Sequence, residues 1–416
     1  MTLRVAINAQ LIPGAGVGGV HTVLLGLVNA LSKLDGPEEY VLVVPWESRD
    51  WLKPYLGKNQ RVVPGPKIDA VKRALGAANP VGKLARRALA WRHGKGEGGP
   101  ALARSNGFFE GLACNVIHFP YQHFILSDIP SIFNPHDLQH AHYPQFFTPG
   151  EVHWREVTYG AACRAAHTVA VSSEWVKQDV VRHYQIEPEK IQVIRWAPPT
   201  QSYGEPTAET LQAVVQAYGL ADTFALYPAM TFEHKNHIRL LEALALLRDH
   251  RALKVNLVCT GHQNDFFPQI RKRITDLQLD EQVRFLGMVP PEHLRVLYRK
   301  AQFMVFPSLF EAAGGPLVEA WGEGTPVTCS AVTSIPEQAG DAALLFDPFS
   351  VEAIANSLEQ MVTSPPLRDR LRSSGRVRLQ CFKWEYTAQA YRAVYRRAAG
   401  VTLCEEDRWI LQGGRS

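Results

Sequence analysis

The sequence predicts an α/β chain of two domains, each a parallel sheet with helices wound on both faces. Three observations carry that prediction. Short apolar runs with little alternation recur along the chain, as expected of parallel strands buried on both faces. Longer helical patterns separate them, and strand, helix, strand repeated in this way builds a doubly wound sheet. The pattern occurs twice, on either side of a proline-rich break from Trp196-Ala197-Pro198-Pro199-Thr200 to Pro206.

In the first half, strands are predicted at Leu3–Asn8, Tyr40–Val44, Val116–Phe119, Ser131–Phe133, Thr168–Val171 and Ile191–Ile194. In the second half they are predicted at Phe224–Tyr227, Val255–Cys259, Val283–Leu286, Phe303–Phe306, Pro326–Cys329 and Ala343–Phe346. The first domain is expected over 1–200 and the second over 205–383. A last helical stretch, 384–416, could pack on either domain, including back on the first. The least regular segment is an insert at about 66–106, where Val71 to Ala90 reads as a basic amphipathic helix broken by Pro80.

Composition bounds the function. At 416 residues the chain exceeds one ordinary core, and 46% hydrophobic with 20% charged residues is a normal globular balance. The net charge of +4 is weak for a nucleic-acid binder of this size. It is uneven, however: between Lys67 and Arg104 nine Lys or Arg face only Asp69 and Glu97. Such a patch suits an anionic membrane surface, a lipid phosphate or a nucleotide, or else is a solvated insertion. It carries no nucleic-acid motif. The six cysteines are scattered without CxxC pairs, so no zinc spacing exists and a reducing compartment is expected. No signal peptide and no membrane-spanning run is read, which predicts a cytoplasmic protein with peripheral contact at the inner membrane face.

Four motifs carry chemistry. Gly14-Ala15-Gly16-Val17-Gly18-Gly19-Val20 lies between the first strand and a helix predicted from about His21 to Leu34. Amides at Gly18 and Gly19 suit an anion at a helix N-terminus, or the turn is simply tight. The second motif is Ser308 to Ala320, after the strand Phe303–Phe306. Pro316 suits the first position of a helix, which leaves Gly314 and Gly315 at its mouth with free N–H groups. Glu311 and Glu319 then offer two carboxylates at the C-terminal edge of a sheet, where such folds bind ligands. Third is His234-Lys235-Asn236, where a cation at the positive end of a helix implies a nearby anion. Fourth is Asn134-Pro135-His136-Asp137, in a stretch rich in histidine (His118, His123, His136, His140, His142). Only the loose His136/His140 pair has helical ligand spacing, and no DxD motif occurs, so no metal is expected.

The second motif resembles the E-x7-E signature of family 4 retaining glycosyltransferases, which have the GT-B fold. Seven residues separate Glu311 from Glu319. Val283-Arg284-Phe285-Leu286-Gly287, Phe306-Pro307-Ser308, Gly324-Thr325-Pro326-Val327 and Ser334-Ile335-Pro336-Glu337 resemble the family too. The resemblance implies two Rossmann-like domains facing across a cleft that holds a nucleoside diphosphate sugar, GDP-mannose or a UDP-hexose. It implies that Glu311 contacts the donor sugar and Glu319 the ribose. The turn of Gly314, Gly315, Pro316 and Leu317 would hold sugar hydroxyls and diphosphate. Lys235 matches the family's phosphate-binding Lys, but Met230 or Thr231 stands where the family has Arg. His136 matches a His that approaches the donor sugar. The acceptor, a carbohydrate or a lipid-linked sugar of surface polysaccharide or glycolipid assembly, would meet the first domain, with His118 to Phe124 a candidate. The missing Arg keeps open a partner-dependent or inactive nucleotide-sugar-binding protein.

Overall fold

The computed structural model describes residues 2–11, 19–66, 102–198 and 205–414. The chain divides into two compact units. The first holds residues 1–171, 176–194 and 388–416, and the second 172–175 and 195–387. Most of the basic insert, including Val71 to Ala90, lies outside the described residues, as do Gly14, Gly16 and Gly18.

In the first unit seven strands pair in parallel, in the order β3-β2-β1-β4-β5-β6-β7. They are β1 (Arg4–Asn8), β2 (Glu39–Val44), β3 (Gln60–Pro64), β4 (Val116–Phe119), β5 (Ser131–Phe133), β6 (Thr168–Val171) and β7 (Ile191–Val193). Register runs Ala6 against Val41 on one side and Ile117 on the other. Val5, Ala6 and Ile7 are fully buried, as a central strand covered on both faces requires. Strand β3 escapes sequence reading because it is a polar edge strand ending on Pro64, and an edge tolerates proline. Helix α1 runs Gly19–Leu31 rather than to Leu34. Beyond Ser32 only turn-type bonds remain, such as Lys33 N–H to the Ala30 carbonyl.

The second unit has six parallel strands in the order β10-β9-β8-β11-β12-β13. They are β8 (Ala225–Pro228), β9 (Leu257–Thr260), β10 (Val283–Phe285), β11 (Phe303–Phe306), β12 (Val327–Ser330) and β13 (Ala343–Phe346). The strand order reverses between β8 and β11, and a doubly wound sheet binds its ligand at that switch point. Beyond α1, the helices that matter below are α2 (Gln139–His142), α3 (Pro149–Ala165), α4 (Glu174–Tyr184), α5 (Ala208–Ala217) and α6 (His237–Arg251). They continue as α7 (Phe267–Asp276), α8 (Pro291–Lys300), α9 (Gly315–Gly322), α10 (Ile335–Ala339), α11 (Val351–Thr363), α12 (Pro365–Leu379) and α13 (Trp384–Ala398). No described helix is long and apolar enough to cross a membrane. None of the six cysteines forms a disulfide.

Candidate active site

The second unit gathers its functional side chains where β8 and β11 end. After β8 the chain passes Met230 and Thr231, makes a 3-10 turn over Glu233–Lys235, and enters α6 through Asn236 in a left-handed conformation (φ 62°). Asn236 holds the turn by donating its side-chain amide to the Pro307 and Pro348 carbonyls at 3.0 and 2.9 Å. After β11 the chain passes Ser308 to Ala313 and starts α9 at Gly315. The Leu309 amide bonds the His234 carbonyl at 2.8 Å, so the two loops lie side by side.

That contact brings two of the sequence-predicted residues together. Lys235 Nζ donates to Glu311 Oε1 at 2.5 Å, with both side chains largely buried. Lys235 is therefore not a solvated surface cation. The Glu311 backbone is fixed by a second segment: its amide meets Thr333 Oγ1 at 3.0 Å, and its carbonyl accepts from Thr333 and Ser334 hydroxyls at 2.7 and 2.8 Å. Thr333 takes a positive φ of 50° to do this, a costly conformation for a β-branched residue and one that clusters at functional sites.

The glycine turn differs from expectation in two respects. Helix α9 begins at Gly315, so Pro316 is its second residue and not its first. The amides expected to be free have partners: Gly314 N–H donates to Gln338 Oε1 at 2.6 Å and Gly315 N–H to the Ala313 carbonyl at 2.9 Å. Gln338 comes from α10 and fills the helix mouth with a carbonyl dipole. An anion entering there competes with that side chain. Gly314 is tightly packed, since a Cβ would sit 3.0 Å from both Gln338 Oε1 and Ile335 Cδ1. Gly315 faces open space. Leu317 is buried and bonds back to the Gly314 carbonyl at 2.9 Å.

Glu319 lies one turn into α9 and does not join Glu311. It accepts a hydrogen bond from the Tyr298 hydroxyl of α8 at 2.8 Å. Burial raises its pKa above the usual carboxylate range, with Glu323 adding to the rise and Tyr298 opposing it. Sequence reading missed Tyr298, Thr333 and Gln338. Only Ser334 stood inside a motif that drew attention.

Thr231, at the position where an Arg was looked for, is buried and neutral. Its hydroxyl meets Asn264 Oδ1 at 2.9 Å and receives the Asn264 amide at 2.8 Å, which ties the loop after β8 to the loop after β9. His234 does not replace the missing charge. Burial pushes its pKa down to about 2, with Lys235 and His237 adding to the effect, so the ring is neutral. Beside these loops a cavity of about 390 Å³ opens at the ends of β9 and β10, lined by His262, Gln263, Phe285, Leu286, Gly287 and Met288. Gly261 (φ 120°), just before the lining residue His262, has no space for a side chain, because a Cβ there would meet the Ala229 carbonyl at 2.5 Å.

In the first unit, Gly19 is the first residue of α1 and has open space beside it; Gly18 lies outside the described residues. His136 is buried and left-handed (φ 66°), with Nε2 on the Pro120 carbonyl at 2.8 Å. Burial lowers its pKa, opposed by the Pro120 bond and Asp137. Asp137 turns the chain into α2 by accepting the Gln139 amide at 3.0 Å. Burial raises the pKa of Tyr121, in the aromatic stretch after β4, opposed by the Gln10 backbone and the Asn8 side chain. His142 pairs with Asp179, and His183 with Glu156. Among the described residues, no group of three or more His, Cys, Asp or Glu is placed to hold a metal ion.

Two family models match the sequence: one described as Glycosyltransferase Family 4 over residues 17–196, and one as Glycosyl transferases group 1 over residues 215–378. The chain is 31% identical to the O-antigen chain mannosyltransferase B of Escherichia coli over 270 residues, 62% of this chain and 70% of that one. Among solved structures it is similar to a sucrose-phosphate synthase of Thermosynechococcus elongatus (TM-score 0.68, 19% identity, 95% of this chain and 98% of that one). It is also similar to HepE of Anabaena in complex with UDP and glucose (TM-score 0.67, 16% identity, 94% of this chain and 99% of that one).

Proposed function

This chain belongs to the family 4, group 1 glycosyltransferases and has their GT-B fold, and we propose that it moves a hexose from GDP-mannose or a UDP-hexose to a carbohydrate or lipid-linked acceptor with retention of anomeric configuration. The similarity to an O-antigen mannosyltransferase favours GDP-mannose and surface polysaccharide or glycolipid assembly. A solved neighbour in complex with UDP and glucose keeps the UDP-hexoses as the other donor class.

One observation carries the reading: a largely buried ammonium, Lys235, set against the Glu311 carboxylate at the sheet's switch point. Breaking the anomeric C–O bond leaves negative charge on the departing diphosphate. Preorganised positive charge aimed at it is the largest catalytic term available. In the proposed complex the diphosphate takes Lys235 from Glu311 and the Gly314–Gly315 mouth from Gln338. Glu311 is then released to accept hydroxyls of the donor sugar. Glu319 receives the ribose hydroxyls, and the cavity beside Phe285 and Gly287 takes the base. The acceptor oxygen attacks the anomeric carbon from the face the diphosphate leaves, and a leaving phosphate oxygen takes the acceptor proton. His136 meets the donor sugar as a neutral hydrogen-bonding group. Gly18 and Gly19 add amide donors near the diphosphate. The acceptor meets the first unit near His118 to Phe124, and the basic insert faces an anionic membrane surface. No nucleic acid takes part. Turnover without an added metal is part of the proposal, since Lys235 and the amides supply the charge.

The test is nucleoside diphosphate release from UDP-, GDP-, ADP- and TDP-sugars, with an extract of acceptors and with EDTA present, for the wild type and Glu319→Ala. Release from one donor that persists in EDTA and is lost in the variant supports the reading. Donor binding with no release from any sugar favours the partner-dependent or inactive protein. Buried Thr231 in place of a cation is the observation behind that second reading.

A further inference from the structure

Helix α13 brings two tyrosines of the first unit into a buried chain of hydrogen bonds with His118 and Asn134. Tyr395 Oη lies 2.7 Å from His118 Nδ1. His118 Nε2 lies 2.8 Å from Asn134 Oδ1. Asn134 Nδ2 donates to Tyr391 Oη at 2.8 Å. The directions follow from chemistry. Asn134 Oδ1 only accepts, so His118 Nε2 carries the proton. The buried ring is neutral, so Nδ1 is an acceptor and Tyr395 donates to it. The rings pack as well: His118 is 4.9 Å from Tyr391 and 5.6 Å from Tyr395, centroid to centroid.

The chain of bonds sits where it can set one side chain. His118 lies near the end of β4, and Asn134 directly follows its neighbour β5. His118 is two residues before Pro120, whose carbonyl holds His136 Nε2. Asn134 is two residues before His136 itself. Both ends of the His136 contact are thus fixed from one buried network, and His136 is held in a left-handed conformation that needs such fixing. We propose that Tyr391 and Tyr395 of α13 are positioning residues that hold His136 in its working geometry through the His118–Asn134 bridge. This rests on the reading of His136 as a donor-contacting residue.

The experiment combines two readouts on the full chain. Imidazole 15N–1H spectra of 15N-histidine-labelled protein report His118 and His136 directly. Wild type shows His118 protonated on Nε2. In Tyr395→Phe, with Tyr391→Phe as the milder second variant, the His136 signals shift while Tyr159→Phe leaves them in place. Tyr159 is an equally buried tyrosine whose hydroxyl has no partner. Turnover of GDP-mannose, or of the panel sugar nucleotide the wild type prefers, falls in kcat on the order of ten-fold in Tyr395→Phe with donor KM unchanged. The double variant His136→Ala/Tyr395→Phe then falls no further than His136→Ala, because both act on one contact. Unmoved His136 signals in both tyrosine variants overturn the proposal, as do additive losses in the double variant. If His136→Ala alone leaves turnover intact, the catalytic reading of His136 fails, while the spectra still decide whether the tyrosines position it.

Discussion

At the residue scale, Glu319 gives a prediction whose sign follows from its surroundings. Its carboxyl is partly buried against Tyr298 and near Glu323, and its pKa is raised. A raised folded-state pKa means that ionisation costs stability, so Glu319 favours the fold below its unfolded pKa and loses that contribution as pH rises through the folded value. Binding runs the other way, because ribose hydroxyls are best accepted by the ionised form. Nucleotide affinity should therefore fall on acidification at a higher pH than an ordinary carboxylate gives. Glu319→Gln should bind weakly at every pH and lose that step, with equal or better thermal stability. Titrating the preferred nucleoside diphosphate at several pH values checks it; an unchanged step in Glu319→Gln would assign the titration elsewhere. Gly314 gives a second prediction. An added methyl meets Gln338 and Ile335 at 3.0 Å, and overpacking of this kind costs about 1 kcal/mol or more. Gly314→Ala should melt only slightly lower yet lose most nucleoside diphosphate release, since the added methyl stands in the helix mouth that the diphosphate must enter.

At the element scale, the Lys235–Glu311 pair joins two loops from different strands, so its roles in stability and chemistry can be separated. Lys235→Met leaves a largely buried carboxylate unpaired, and breaking a buried pair costs about 3–5 kcal/mol at full burial. Replacing both partners, as in Lys235→Met/Glu311→Gln, should recover most of that stability. It should not recover turnover, which should stay down about 10²–10³-fold as expected for loss of a charge-stabilising donor. Melting curves and release rates on the three variants test this, and a double variant that regains activity would remove the pair from the site. This scale also shows what the sequence made legible. The doubly wound order was readable because parallel strands are apolar on both faces, and only the polar edge strand β3, ending on Pro64, broke that pattern. Glu311, Gly314 and Glu319 could be picked out as candidates because residues of one segment keep their spacing in any fold, and Lys235 because a cation at a helix N-terminus implies an anion nearby. Thr333, Gln338 and Tyr298 could not, since they reach the loop from other elements. The same holds for Tyr391 and Tyr395, more than 250 positions from their partners. The expectation of free glycine amides failed for that reason too: the competitor, Gln338, lies 24 residues away.

At the scale of the whole molecule, buried neutral histidines set the response to acid. Burial lowers His118 to about 4, His234 to about 2 and His237 to about 3, against an ordinary value of 6.5. His237 has no hydrogen-bond partner for either ring nitrogen, so protonating it in place brings no compensating bond. A base with a depressed folded-state pKa stabilises the fold above its unfolded pKa and loses that contribution as pH falls toward the folded value. For these rings the window opens near pH 6.5 and extends down to the range of 2 to 4. His118 alone corresponds to a loss on the order of 3 kcal/mol across its window, since each pKa unit is about 1.4 kcal/mol. A domain holds only about 5–15 kcal/mol in all, so one such group in the first unit and two in the second remove a large share of each unit's stability. The protein should hold its stability from neutral pH upward and lose it steeply below about pH 6, with net proton uptake on unfolding. Because His118 belongs to the first unit and His234 and His237 to the second, both should become acid-labile. His237→Phe fits beside Tyr227 and Phe285 as an apolar ring of similar size and should weaken the acid dependence of the second unit alone. Urea unfolding at pH 7, 6 and 5, followed by hydrogen exchange resolved to each unit, measures it. A variant with the same acid slope as wild type would mean that His237 is already protonated in the fold or is buried in the unfolded chain as well.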